Sequence, residues 1–437
     1  MALQATHPIH SLPVEVLTQI FGSYCSLDSC FAVTLDRGGK ISTPSQPLAR
    51  TCSVWRQIVC SRSEFWSSFD LNFEFMITPE LCDLLITYIR HSGATVTLRL
   101  SITFPDSESL EASSSNVPTD MRLVVLDILF DHSNRWRDVR IDIGPKILAH
   151  AISRLTLRPK PLHGYFPKLE RLDSQDQESA YFDYAEEQSE RNLFHIFRPC
   201  PQLRSLSAHD SWRDDPVDYS NLTYLNLMYY RGLSLSPPLS RCPHLRHFSI
   251  GWCSIPVDGD FDYDGVNIWS NDNPFHHRGI TRLSLPMYDV HFGHEIWEDL
   301  RFPSLSSLDV DQVDNLGEGT TELLSMISKS ECTLRVLGIG KMSTSILARF
   351  LSVAPSLHSL NLMSQYSYHA LREEAEQMFS PLMCKELKLS VPELSSLVVE
   401  FHGSHLHSKS TTDVAQQFRD MVVSRLTPSQ FVELQIL

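Results

Sequence analysis

The chain has 437 residues, 42% hydrophobic and 10% aromatic, which suits a small module plus one large domain and excludes a disordered chain. Its 37 Lys and Arg against 52 Asp and Glu leave a net charge of −15, which disfavours generic binding to nucleic acid or anionic membrane, where clustered cations must meet phosphate. No run approaches the ~18 apolar residues of a membrane helix, MALQATHPIHS has no apolar leader core, and the cysteines include no CxxC pair, so a cytoplasmic or nuclear setting is expected.

The first element opens at Leu12-Pro13, because proline is tolerated at a helix start, where its missing N–H has no intrahelical partner. Val16, Leu17, Ile20 and Phe21 recur at i, i+1, i+4 and i+5, one apolar stripe at helical period. Residues 22–46 hold Gly38-Gly39 among Ser, Thr and Pro and read as an excursion loop. A second helix between Pro47 and Ser61 places Leu48, Cys52, Trp55, Ile58 and Val59 on one face. A short third follows the Ser63-Glu64 turn with Phe65, Trp66 and Phe69. Short helices that leave apolar ends exposed need a partner helix to cover them.

In order, Leu12, Pro13, Glu15, Leu17, Ile20 and Phe21 (LPxExLxxIF), then Pro47 and Leu48, then Cys52, Trp55, Arg56 and Ile58, then Trp66 and Leu71 form a pattern that resembles an F-box. That module docks a substrate receptor onto the adaptor subunit of an SCF-type ubiquitin ligase. The resemblance covers residues 8–72, with an insertion at 22–46 longer than compact F-boxes carry, similar to F-box proteins multiplied in mushroom-forming fungi. It implies that Leu12, Pro13, Glu15, Leu17, Ile20, Phe21, Pro47, Leu48 and Ile58 meet the adaptor, and through it a cullin. Cys52, Trp55 and Trp66 are then the core of the module.

Behind it, Thr78 caps a helix that starts at Pro79, buries Leu81, Leu84, Leu85, Tyr88 and Ile89, and stops at Gly93. Val96, Leu98, Leu100 and Ile102 alternate as a strand, as do Val139, Ile141 and Ile143, with a helix from a Thr119 cap to Asp131 between them. An LxxLxL frame then recurs from Leu169, Leu203, Leu222, Leu245, Ile280, Leu305, Leu334, Leu357 and Leu394, often after X-Pro as at Cys200, Cys242, Phe302, Ala354 and Val391. A helix over 414–425 and a strand at Val432, Leu434 and Ile436 finish the chain. One half-buried strand per unit cannot bury its own apolar edge, so neighbours must stack. This resembles a leucine-rich-repeat domain over residues 73–437. The expected class is mixed α/β: a small three-helix module, then an irregular horseshoe with a parallel sheet on its concave face. The Asn or Cys that usually follows the strand appears only as Cys253, so the turns must find their hydrogen bonds elsewhere.

No catalytic, cofactor or metal site emerges. The acidic loop 258–265 (DGDFDYDG) opens like a calcium loop but places Asn271 where a bidentate Glu is required. His402, His405 and His407 lack partner ligands in register, the adjacent His276-His277 stand alone, and 183–190 reads as a solvated acidic run. GxSxG, GxxxxGK[ST] and GxGxxG are all missing from the sequence, so no enzyme is expected.

Residues between the buried positions of each strand face the concave side and are the candidate target-reading surface. The set is Arg171, Tyr224, Asn226, Met228, His247, Arg282, Asp309, Asp311, Asn361 and Met363. Arg171 and Arg282 stand four expected strands apart, roughly 19 Å at ~4.8 Å per step, too far for one phosphate to bridge. A neutral or basic target, bound without obligatory phosphorylation, is the expectation. Two readings follow: a substrate receptor of an SCF ligase acting on an unknown protein target, or a non-ligase interaction scaffold whose degenerate F-box only caps the repeats.

Overall fold

A computed structural model describes residues 9, 12–26, 34–35, 41–42, 44–72, 77–104, 121–143, 147, 153–154, 157, 165–174, 200–208, 218–230, 234–253, 274–285, 297, 299–312, 318–341, 344–364, 393–401 and 433–436. They form a mixed α/β structure in two compact units, Met1–Tyr219 and Ser220–Leu437.

The first unit opens with α1 (Val14–Ser26), α2 (Ser45–Thr51) and α3 (Ser53–Ser61). Helix α1 runs through Gly22 and buries Cys25, so the expected excursion loop starts later than the sequence suggests. Its other end is also shorter: α2 begins at Ser45, ahead of Pro47. The single helix expected from Pro47 to Ser61 is two helices, because Cys52 is extended (φ −158°, ψ 172°) and ends one while starting the other. Arg56 Nε donates to the Ala49 carbonyl at 3.0 Å and clasps α2 onto α3 across that joint. Within the insertion, β1 (Thr34–Leu35) and β2 (Ile41–Ser42) pair antiparallel.

After a 3-10 turn at Ser63–Trp66 the chain becomes β3 (Ser68–Asn72), not the rest of a third helix. Phe69 and Leu71 are buried between half-exposed Ser68, Asp70 and Asn72, a period of two that a helix cannot satisfy. Strand β3 pairs with β1 (Thr34 opposite Asn72) on one side and with β4 (Leu98–Phe104) on the other. The sheet continues through β5 (Trp136–Ile143), β6 (Arg171–Ser174) and β7 (Ser205–Ala208), every pair after β1–β2 being parallel. Helix α4 (Pro79–His91) begins after the extended Thr78 and ends before Gly93 at φ +68°, a left-handed position that glycine adopts without a Cβ clash. Leu81, Leu85, Tyr88 and Ile89 are buried on it as expected, joined by Cys82, while Leu84 is half-buried. Helix α5 (Met121–Phe130) precedes β5; Thr119 lies outside the described residues.

The second unit holds the parallel sheet β8 (Tyr224–Tyr230), β9 (His247–Cys253), β11 (Arg282–Leu285), β13 (Ser307–Gln312), β14 (Val336–Lys341), β15 (Ser359–Ser364), β16 (Ser396–Phe401) and β17 (Glu433–Ile436), in that spatial order. A separate parallel pair is formed by β10 (Phe275–His276) and β12 (Leu300–Arg301). Helices α6 (Ser236–Ser240), α7 (Glu318–Lys329) and α8 (Thr344–Val353) fall between strands, as parallel neighbours require crossovers. The loop 258–265, the run 183–190, His402 to His407 and the expected helix 414–425 lie outside the described residues.

Two backbone devices fix the chain just ahead of the strands. Before five strands, the first-position leucine N–H bonds the carbonyl three residues back, closing a β-turn with Pro second: Leu169 to Phe166, Leu203 to Cys200, Leu245 to Cys242, Leu305 to Phe302 and Leu357 to Ala354. The turn-opening side chains are buried, and burial pushes the Cys200 and Cys242 thiols up to about 12. Then the residue after the first frame position (Leu222, Leu245 and Ile280 among them) offers its carbonyl to two successive N–H groups ahead of the next strand. Thr223 O accepts from Arg246 and His247, Arg246 O from Thr281 and Arg282, and Thr281 O from Ser306 and Ser307. The ladder runs on through Ser306, Arg335 and His358. The start of each of these strands is therefore pinned to its neighbour independently of the sequence spacing between them.

Candidate functional site

Three surfaces gather the residues singled out by sequence. On α1 the apolar stripe proves to be two rows. Successive helical residues lie ~100° apart, so a stripe two residues wide cannot be wholly buried against one neighbour. Leu17, Phe21 and Cys25 form the inner row, at 2%, 1% and 2% exposure, and burial raises the Cys25 thiol to about 11. Val16, Ile20 and Tyr24, one residue earlier in each turn, are exposed at 38%, 43% and 50%. Val14 and, on α3, Val54 are exposed at 49% and 51%.

The residues expected at the adaptor divide by burial. Leu17, Phe21 and Ile58 are buried; Pro13, Glu15, Ile20 and Pro47 are exposed, and Leu12 and Leu48 are half-buried. Val14, Tyr24 and Val54 are exposed apolar residues outside the set expected from sequence, and Val16 of the expected stripe is exposed with them. Among the expected core residues, Trp66 is buried, donates Nε1 to the Val59 carbonyl at 2.8 Å, and packs on Tyr88 and His91 with centroids 4.8 and 4.7 Å away. Cys52 and Trp55 are only half-buried; Trp55 packs against Phe21 at 4.7 Å.

On the sheet of the first unit, Arg171 is not a lone cation. Register places Arg99, Asp138 and Arg171 side by side on β4, β5 and β6, and both guanidiniums reach the one carboxylate, at 3.5 and 3.4 Å. Arg140 stands next along β5, opposite Ser101 and Asp173. These cations are interleaved with aspartates, so the patch is mixed in sign. Sequence reasoning left out Arg99 and Arg140 because it took its surface list from the LxxLxL strands alone.

In the second unit, Tyr224, His247 and Arg282 stand opposite one another on β8, β9 and β11, with Ser284 and Asp309 paired in the next row. Arg282 binds one oxygen of Asp309, through Nη2 at 2.8 Å and Nε at 3.0 Å. Ser284 Oγ donates to the same oxygen at 3.5 Å and meets His247 Nε2 at 3.2 Å; the Tyr224 ring meets the imidazole edge-on at 4.7 Å. Burial and the Arg282 charge lower the His247 pKa, against the pull of Asp309, so the ring is neutral near pH 7. Asn226 donates to Met228 Sδ at 3.1 Å, and Asn361 is half-buried on β15. Asp311 and Met363 lie on β13 and β15, but their side chains are outside the described set.

The His247–Ser284–Asp309 chain has the residue types of a hydrolytic triad in the wrong order. Asp309 contacts the serine instead of orienting the imidazole, so the order of a hydrolytic triad, carboxylate to imidazole to hydroxyl, is not formed. Among the described residues there is no group of metal-ligating side chains, and no helix is long and apolar enough to cross a membrane. No protein-family model matches the chain, and no curated protein matches it.

Proposed function

We propose that the chain is the substrate receptor of an SCF-type ubiquitin ligase, in which residues 8–72 act as an F-box and the strands beyond them as a leucine-rich-repeat target-binding domain. The observation that carries this reading is the exposed apolar row Val16, Ile20 and Tyr24, with Val14 and Val54, on a helical module whose own core is already filled by Leu17, Phe21, Ile58 and Trp66. A filled core beside an uncovered apolar row is what a docking helix of a partner would cover. In this role the protein performs no chemistry; it raises the concentration of a bound target near a ubiquitin-charged enzyme held by the ligase.

One observation favours the scaffold alternative. Strand β3 leads directly out of the helices into the sheet and β1 of the insertion pairs with it, as a built-in cap would. Co-expression of the full chain with SCF adaptor and cullin subunits separates the two. A stoichiometric complex supports the receptor; a chain that purifies without either subunit supports the scaffold.

A further inference from the structure

Two neighbouring turns of the second unit carry cations without acids. Residues 241–247 (RCPHLRH) and 276–282 (HHRGITR) hold Arg241, Arg246, Arg278 and Arg282 and no Asp or Glu, in a chain of net charge −15. The turns are clamped together. The Arg246 carbonyl accepts from the Thr281 and Arg282 N–H groups at 2.9 and 3.0 Å, and His277 Nε2 lies 2.8 Å from the Cys242 carbonyl oxygen. A Cβ on Gly279 would stand 2.7 Å from the Leu245 carbonyl oxygen, so only glycine lets the backbones approach this closely. Arg282 is committed to Asp309, and that pair is neutral. Arg241, Arg246 and Arg278 are exposed, and no described residue forms an ion pair with Arg246 or Arg278. The other described acid of the adjoining units, Asp299, stands ahead of β12, where its carbonyl takes the Phe275 N–H at the end of β10 away from Arg278.

Positive charge is therefore unbalanced along this edge, while the sheet face beside it balances through Arg282 and Asp309. An exposed guanidinium with no internal partner offers its N–H groups to an oxyanion from outside. Adjacent strands stand ~4.8 Å apart, so two turns match a short peptide segment and not a duplex or a bilayer. Either of those would also bring further phosphates against a chain of net charge −15. The expectation of a neutral or basic target came from the sheet face alone, which these turns flank. We propose that the paired turns bind an acidic segment of the target protein, whose oxyanions, carboxylate or phosphoryl, meet Arg246 and Arg278. This rests on the second unit being part of the target-binding domain of the receptor described above.

The test is fluorescence anisotropy on the purified full chain with labelled peptides of one sequence that carry Glu, phosphoserine or Gln at the same positions. The Glu peptide, the phosphoserine peptide or both should bind, more weakly as salt is added, and the Gln peptide should not. The arm that binds shows whether carboxylate or phosphate supplies the oxyanion. The double variant Arg246→Gln, Arg278→Gln should bind about tenfold more weakly or worse, the loss that charge-assisted bonds bring. It should melt like the parent, because the ladder uses the Arg246 carbonyl and not its side chain. Arg349→Gln, which removes an exposed charge on α8, should bind like the parent. Equal binding of the Gln peptide, no loss in the double variant, an equal loss in Arg349→Gln, or no binding of any peptide would each overturn the proposal. So would a preference for single-stranded DNA or phosphatidylserine vesicles over both acidic peptides. Failure of the SCF adaptor to co-purify with a chain that still selects an acidic peptide would instead overturn the ligase assignment and leave this site standing.

Discussion

A β-carbon at Gly338 would stand 2.3 Å from Oδ1 of Asp309, the carboxylate that holds Arg282. Two other glycines are crowded by rigid backbone instead: at Gly251 the Met228 carbonyl lies 2.5 Å from such an atom, and at Gly279 the Leu245 carbonyl lies 2.7 Å away. A carboxylate can swing aside, whereas a carbonyl within a strand or turn cannot. Gly251→Ala and Gly279→Ala should each destabilise the second unit by ~1–3 kcal/mol, the usual cost of overpacking, and Gly338→Ala by less. Chemical denaturation of the three variants checks the order; a Gly338→Ala loss larger than the other two would contradict the packing described.

Trp66 and Trp55 should differ in the same way. Trp66 is buried and bonded to Val59, so Trp66→Ala should cost ~3–5 kcal/mol, while half-buried Trp55→Ala should cost clearly less. Hydrogen exchange across α1, α3 and α4 is the measurement. Equal loss of protection in both variants would mean that Trp55 shares the core after all.

His277 gives a pH dependence with a defined sign. Its Nε2 bonds the Cys242 carbonyl at 2.8 Å, and its Nδ1 accepts the Gly279 N–H at 3.3 Å, so both nitrogens are committed to the neutral ring. Burial lowers its pKa, outweighing the bonds that favour the charged form. The unfolded chain then takes up the proton more readily than the folded one. The stability is fully present above the ordinary imidazole value of 6.5 and is lost as pH falls from there toward the lowered folded value. His247 and His132 shift the same way, so the comparison is between the parent and His277→Asn. Melting curves from pH 7.5 to 5 should flatten in the variant, and an unchanged slope would exclude His277 as a contributor.

Strands were the legible part of this fold. An apolar residue on every second position has one solution when one face is buried, and the strands expected from Leu98 to Val399 formed at their expected places. Helix limits were less legible. Nothing in Leu48 to Ile58 marks Cys52 as the extended joint, since both α2 and α3 keep apolar residues at helical spacing on either side. Gly22 and the glycines after it suggested a loop, yet burial of Phe21 and Cys25 on one row carries α1 past that point. At the candidate target surface the residue types were legible but their charge state was not. Arg282 and Asp309 lie 27 positions apart in sequence, and only strand register makes them one neutral pair.

The adaptor docking proposed for the helical module is tested by the affinity of purified adaptor for the full chain and for a Leu12→Ala, Pro13→Ala double variant. Leu12 is half-buried and Pro13 exposed at the helix start, so this change should spare the sheet while removing the anchor. Measurable binding by the parent and a loss of ~2 kcal/mol or more in the variant, with unchanged melting of the second unit, is the expected result. Equal affinity of parent and variant, or no affinity in the parent, would contradict it.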